Sequence, residues 1–210
     1  METSSPDNRT LHEYLGALRS GSPTPGGGSA AAYAGAMGAS LAAMVCRLTL
    51  ASADDSSTHQ LAPTADRLDM LVNELSESAR QDEECFARYR AAAALPKSTP
   101  DEKQARSLAL QASLHTAAET PLLTARRALE ALALASLAAE HGTRHALSDI
   151  DVARSLLGAC IDGALIFVAV NAKSIKDIEL SADLMRRADQ IRRDATEASD
   201  RVRDALRGRE

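Results

Sequence analysis

Apolar side chains along most of this 210-residue chain recur every three or four positions, the period of a helix face. Few stretches have the β-branched and aromatic richness of strands. The helix boundaries are legible. Thr10-x-x-Glu13 has the form of a capping box and Gly21 of a stop, which bounds a short first helix. A second helix opens at Gly26–Gly28 and runs to about Leu50, with Gly35, Ala39 and Ala43 small enough for another helix to pack close. Ala51 to Thr58 is polar and predicts a loop. A long third helix spans about Gln60 to Ala94 and stops before Pro96. Thr99-Pro100-Asp101-Glu102 opens a fourth, with proline in the first turn. Thr120-Pro121 opens a fifth that closes at His141 and Gly142, Ser148 a sixth, and Ser174-x-x-Asp177 a last amphipathic helix reaching Leu206. About seven helices with short connections predict an all-α bundle, one domain over residues 1–210, with 1–9 and 208–210 frayed.

Composition narrows the function classes. Hydrophobic residues make up 45% of the chain but aromatics only 2%, so alanine and leucine must build the core. The net charge of -5, and an arginine-rich tail (186–209) interleaved with Asp and Glu, give no footprint for nucleic acid. Cys46, Cys85 and Cys160 are odd in number and far apart, which predicts free thiols in a reducing compartment. With a polar start to the chain, the expected location is cytoplasmic. Only Gly26 to Cys46 resembles a membrane span, and its Ala/Gly content favours a buried helix, so no membrane partner is expected. His141 and His145 straddle Gly142, while His12, His59 and His115 have no acidic or cysteine companion at ligand spacing, so no metal site is expected. Serine-nucleophile elbows, dinucleotide fingerprints and phosphate-binding loops of Walker type are missing from the sequence.

Three features carry candidate chemistry. In Pro23-Thr24-Pro25-Gly26-Gly27-Gly28-Ser29 a rigid turn runs into glycines at the start of a helix, whose first N–H groups have no intrahelical partner and suit a carbonyl, carboxylate or phosphate. In the third helix Leu68, Leu75, Asp82 and Tyr89 lie seven apart, beside Leu71, Ser78 and Cys85 and beside Val72, Ala79 and Phe86. Asp82 therefore takes a place where an apolar residue belongs. A sequestered carboxylate has a raised pKa and can exchange a proton near neutral pH; alternatively it caps a neighbouring helix or pairs with an arginine. Asn171 continues the inner row Ile150, Ala153, Leu157, Cys160, Ala164 and Val168, and its amide either holds a ligand or caps adjoining chain near Lys173. Lys173 and Lys176 are candidate anion contacts.

These residues resemble the cyclodeaminase/cyclohydrolase family, which includes the cyclodeaminase half of formiminotransferase-cyclodeaminase and stand-alone methenyltetrahydrofolate cyclohydrolases. The matching stretches are Ser22–Ser29, Ala42–Val45, Asp82–Phe86, Leu95–Pro100, Pro121-Leu122, Ser148-Asp149 and Val170-Asn171 through Asp177, in family order. The resemblance implies an all-helical homodimer with a folate-handling cleft beside the glycine loop and Asp82 as catalytic residue; residues 23–29, Asp149, Asn171 and Lys173 are the candidate substrate contacts. It also implies a tetrahydrofolate derivative as substrate and no metal or other cofactor. The activity implied is cyclisation with loss of ammonia from 5-formiminotetrahydrofolate, or opening of 5,10-methenyltetrahydrofolate by water. Three departures stand out: acidic Leu50–Asp55 where the family has glycine and basic residues, and Thr143 and Phe167 where it has asparagines. They leave open a related carbon–nitrogen cyclase or lyase acting on another metabolite, and a non-catalytic helical dimer that binds a ligand.

Overall fold

Caps chosen by the sequence set the helix ends. In this computed structural model, which describes residues 9–52 and 59–209, Thr10 and Thr99 each accept the N–H of the third residue on. Glu13 and Glu102 return the bond, which closes two capping boxes. Among the described residues there are six α-helices, a short 3-10 turn and no strand. The helices are α1 (Leu11–Leu18), α2 (Gly27–Ser52), α3 (Leu61–Ala93), α4 (Pro100–His141), α5 (Leu147–Ala172) and α6 (Ile178–Arg207), with Arg144–Ala146 as the 3-10 turn. Gly21 takes a φ of 82° in the turn after α1, a conformation open to glycine. Asp177 accepts the N–H of Leu180 and caps α6. Of the chain ends expected to fray, residues 1–8 and 210 lie outside the described residues; Arg9 is paired with Glu83, and Arg209 donates to Ala139 O at 2.9 Å.

One expectation is corrected. Thr120-Pro121 opens no new helix: α4 continues for 42 residues through Pro121, so six helices stand where about seven were predicted. The cause is a side chain from α5, described with the site below.

The core is built of leucines from α3 and α4, isoleucines and leucines from α5, and alanines from α2. The small face of α2 is used within the chain. A Cβ on Gly35 would lie 2.6 Å from Cys160 Sγ, one on Gly38 2.9 Å from Ala153 O, and one on Gly163 2.8 Å from Ala31 Cβ. Helices α2 and α5 therefore cross at a distance only glycine and alanine permit, and Ala39 and Ala43 are buried in the same packing. Cys46, Cys85 and Cys160 are free and buried. Among the described residues two helical segments, Gly27–Ser52 and Arg144–Ala172, are long and apolar enough to cross a membrane, one more than the sequence suggested; both bury part of that apolar surface inside the bundle.

Candidate active site

The site begins at the first turn of α2. Ala30 N–H donates to Gly26 O at 3.0 Å, so Gly26 is the last residue before the helix and the N–H groups of Gly27, Gly28 and Ser29 point away from it. Ser29 N–H donates to Asp82 Oδ2 at 3.0 Å, which makes a carboxylate of α3 the cap of α2. Glycine 28 makes this possible: a Cβ there would lie 2.2 Å from Asp82 Oδ1 and 2.5 Å from its Cγ. Behind the turn, the fully buried Ser29 shares a 3.1 Å hydrogen bond with Tyr14 OH. The ring of Tyr14 packs edge to face on Tyr33 at 4.8 Å, with the Arg9 guanidinium over it at 5.5 Å and paired with Glu83 at 2.7 Å. Thus α1 is pinned against the residues that hold Asp82.

In front of the turn lies a cavity of about 270 Å³. Its walls come from Pro23, Thr24 and Gly26, from Asp82, Cys85, Phe86 and Tyr89 of α3, from Leu114, Ala117, Thr120 and Pro121 of α4, and from Phe167, Val170, Asn171 and Ser174. The apolar row of α3 explains the place of Asp82. That row is core from Leu68 to Ala79 and leaves the core at Asp82, beyond which its residues face the cavity; Phe86 and Tyr89 are accordingly 37% and 38% exposed. The chain has five aromatic residues, and all gather here: Phe86, Tyr89 and Phe167 in the wall, Tyr14 and Tyr33 behind Ser29. Such a lining suits a flat, conjugated ring.

Burial pushes the Asp82 carboxyl above its ordinary range, the Ser29 N–H draws it part of the way back, and the neighbouring Glu83 charge adds to the rise. Oδ1 receives no hydrogen bond among the described residues, leaving one oxygen for a proton or a ligand. Asp82 therefore caps a neighbouring helix, as one reading of the sequence had it, and the same side chain lines the cavity. Cys85 lies one turn on with Sγ 3.3 Å from Thr120 Oγ1, and burial raises its thiol pKa, so it is a neutral wall group rather than a thiolate.

Asn171 has a specific task. Pro121 has no N–H to give to Ala117 O, the carbonyl four residues back, and Asn171 Nδ2 donates to that oxygen at 2.6 Å instead. The α5 amide thus repairs α4 at the one rung proline removes, which is why the helix runs on and why the cavity wall is closed there. Asn171→Ala is expected to cost about 1 kcal/mol of stability by orphaning that carbonyl. In a Pro121→Ala background, where residue 121 regains its N–H, the cost should fall toward zero. Chemical denaturation of the four proteins checks this, and equal costs in both backgrounds would refute the repair.

Other sequence candidates lie apart. Asp149 is in the first turn of α5, some 33 Å along the helix from Asn171, and does not line the cavity. Lys173 is exposed and also outside the lining. Phe167, noted in the sequence only as a departure, contributes a wall: its ring would lie 3.2 Å from a Cβ on Gly27. Thr120 and Ser174, read in the sequence only as helix starts, carried no signal for the site, because their role depends on where α4 and the end of α5 meet. Among the described residues no group of three or more His, Cys, Asp or Glu is placed to hold a metal ion.

Fold and site together define a helical bundle built around a small-molecule cavity, with one carboxylate fixed on a helix N-terminus in its wall. The formiminotransferase-cyclodeaminase family pattern matches residues 10–190. The chain is 33% identical to a methenyltetrahydrofolate cyclohydrolase from Methylorubrum extorquens, over 96% of this chain and 98% of that protein. It is 31% identical to a formimidoyltransferase-cyclodeaminase from Gallus gallus, over 96% of this chain but only 38% of that larger protein. The crystal structure of a formiminotetrahydrofolate cyclodeaminase from Thermotoga maritima superimposes with a TM-score of 0.82 at 25% identity, covering 96% of this chain and 97% of the other. The chain belongs to the formiminotransferase-cyclodeaminase family, in its cyclodeaminase/cyclohydrolase part.

Proposed function

We propose that this protein opens the N5–C–N10 ring of 5,10-methenyltetrahydrofolate by adding water, with Asp82 as general base and then general acid. The observation that carries the proposal is the Asp82 carboxylate, held by Ser29 N–H beside Gly28 and desolvated in an aromatic-lined cavity. Ionised, it takes a proton from the water that attacks the methenyl carbon. Protonated, it returns that proton to N5 as the C–N5 bond breaks, and the hydroxyl proton leaves to solvent as the 10-formyl group forms. Phe86, Tyr89 and Phe167 would hold the flat ring so that carbon meets carboxylate, and positioning supplies much of the acceleration. The chemistry is acid–base throughout, so activity is expected to survive EDTA.

The cyclohydrolase direction is preferred because the stand-alone relative of that name matches along nearly its whole length. Cyclodeamination is the second possibility, favoured by the likeness to the Thermotoga structure. There N10 attacks the formimino carbon and the Asp82 acid protonates the departing amine. Loss of the near-ultraviolet absorbance of 5,10-methenyltetrahydrofolate above the buffer rate tests the first, and ammonia release from 5-formiminotetrahydrofolate the second. Inactivity in both would leave a carbon–nitrogen cyclase on another metabolite, or a ligand-binding bundle.

A homodimer is part of the proposal. Met37, Met44 and Leu48 are exposed apolar residues at helical spacing on α2, a face that a second copy would cover. Light scattering should give the mass of two chains, and Leu48→Glu should shift it toward one; a parent protein with the mass of one chain would refute the dimer. The buried free thiols suit a reducing, cytoplasmic setting.

A further inference from the structure

The arginines of α3 and α6 are mostly paired with carboxylates, among them Arg67, Arg80, Arg187 and Arg192. One group of cations is different. Lys97, Lys103, Arg106 and Lys176 surround a second cavity of about 310 Å³, and none of the four makes an ion pair with a described residue. Two neighbouring carboxylates serve as helix caps: Glu102 accepts the N–H groups of Ser98 and Thr99, and Asp177 that of Leu180. Four cations around one groove make a local positive field on a chain of net charge -5, the kind of field that draws an anion.

This groove lies next to the Asp82 cavity. Gln111 Nε2 donates to Ser174 O at 3.2 Å, and Ser174 lines the Asp82 cavity. Lys176 N–H donates to Gln111 Oε1 at 2.7 Å, and Lys176 Nζ donates to Ser107 Oγ at 2.9 Å. On α4, the groove residues Lys103, Arg106, Ser107 and Gln111 lead at helical spacing into the cavity residues Leu114 and Ala117, and Ala117 to Ser107 is about 15 Å along the axis. An extended ligand therefore finds an aromatic pocket with a carboxylate at one end and unpaired cations at the other.

We propose that the Lys97–Lys103–Arg106–Lys176 groove is the subsite for the anionic end of the molecule whose ring sits at Asp82. Resting on the folate proposal above, this makes it the seat of the two carboxylates of the substrate's glutamate. Arg106, with Nε bound to Ala93 O at 3.1 Å, is the fixed member, and the exposed lysines supply point charges.

The test compares KM for 5,10-methenyltetrahydrofolate with KM for the pteroate analogue that lacks the glutamate. In the parent enzyme the analogue is expected to bind roughly three- to ten-fold more weakly, as two or three partly exposed charge contacts allow, and the ratio should shrink in high salt. In Lys97→Gln/Lys103→Gln/Lys176→Gln, which changes exposed side chains only, the ratio should fall to near one, and Lys176→Gln alone should lie between. A parent ratio near one, or a ratio the triple variant keeps, overturns the subsite and leaves the folate activity standing. If neither compound is turned over, the folate proposal fails on its own, and binding decides the subsite. Amide shifts at Ser107 and Lys176 on adding p-aminobenzoylglutamate but not p-aminobenzamide, lost in the triple variant, support an oligocarboxylate groove; equal responses to both refute it.

Discussion

Asp82→Asn is expected to lower kcat/KM for ring opening by roughly 10²- to 10⁴-fold, the range a positioned acid–base group contributes, while the melting temperature stays at or above that of the parent. The variant keeps the shape of the site, since the Asn oxygen can still accept Ser29 N–H, but it cannot take a proton from water. The stability half follows from linkage. Because burial raises the Asp82 pKa in the fold, the native state binds this proton more tightly than the unfolded chain does. Stability therefore falls as pH rises from the unfolded pKa through the folded one, and at neutral pH the ionised carboxylate is a net cost. An amide removes that cost. The parent's kcat/KM should decline as pH is lowered through the same raised pKa, on a limb above the ordinary carboxylate value, and the variant should lack that limb. Turnover like the parent's, or an unchanged acid limb in the variant, would remove Asp82 from the chemistry.

Local signals in the sequence located most helix ends, and they failed where a distant residue intervened. Thr10-x-x-Glu13 and Thr99-x-x-Glu102 cap the helices they were expected to open, because each cap is made within four residues, whereas the cap of α6 is Asp177 rather than Ser174 three residues before it. Thr120-Pro121 misleads because the missing N–H of Pro121 is answered by Asn171, 54 positions past the carbonyl it serves. The α3 row singled out Asp82 because a charge breaks an apolar period. That period could not show that the row passes from core to cavity at that residue, since the boundary depends on where the middle of α4 and the end of α5 meet. The resemblance set residues 23–29 beside Asp82; in the structure Pro23, Thr24 and Gly26 line the Asp82 cavity, and Ser29 N–H donates to the carboxylate from behind it. Asp149, in a matching stretch, and Lys173, a neighbour of Asn171, stand outside the cavity lining, as closeness in sequence says nothing about the side of the bundle a residue faces. The groove around Lys103 and Lys176 joins residues more than seventy positions apart and has no local signature.

Gly28→Ala should be as damaging to activity as a change at the carboxylate itself, although the sequence makes Gly26, Gly27 and Gly28 look alike. An added Cβ at Gly26 meets only Pro23 O, at an ordinary 3.5 Å, and one at Gly27 meets the edge of the Phe167 ring at 3.2 Å, which a small ring shift relieves. At Gly28 the new carbon falls 2.2 Å from Asp82 Oδ1 and 2.5 Å from Cγ, so the carboxylate must leave its seat and give up Ser29 N–H. A displacement of about 1 Å in a catalytic group costs on the order of 10²-fold, and that is the expected fall in kcat/KM. Stability should change little, because alanine improves the first turn of α2 by up to about 1 kcal/mol while loss of the carboxylate cap costs a similar amount. Gly26→Ala should stay within a few-fold of the parent, and Gly27→Ala should act mainly on KM through the Phe167 wall. The order of the three substitutions is the informative quantity. Equal losses at all three would mean that the loop needs glycine for its backbone alone, and an active Gly28→Ala would mean that the carboxylate works from somewhere other than the place where α2 holds it.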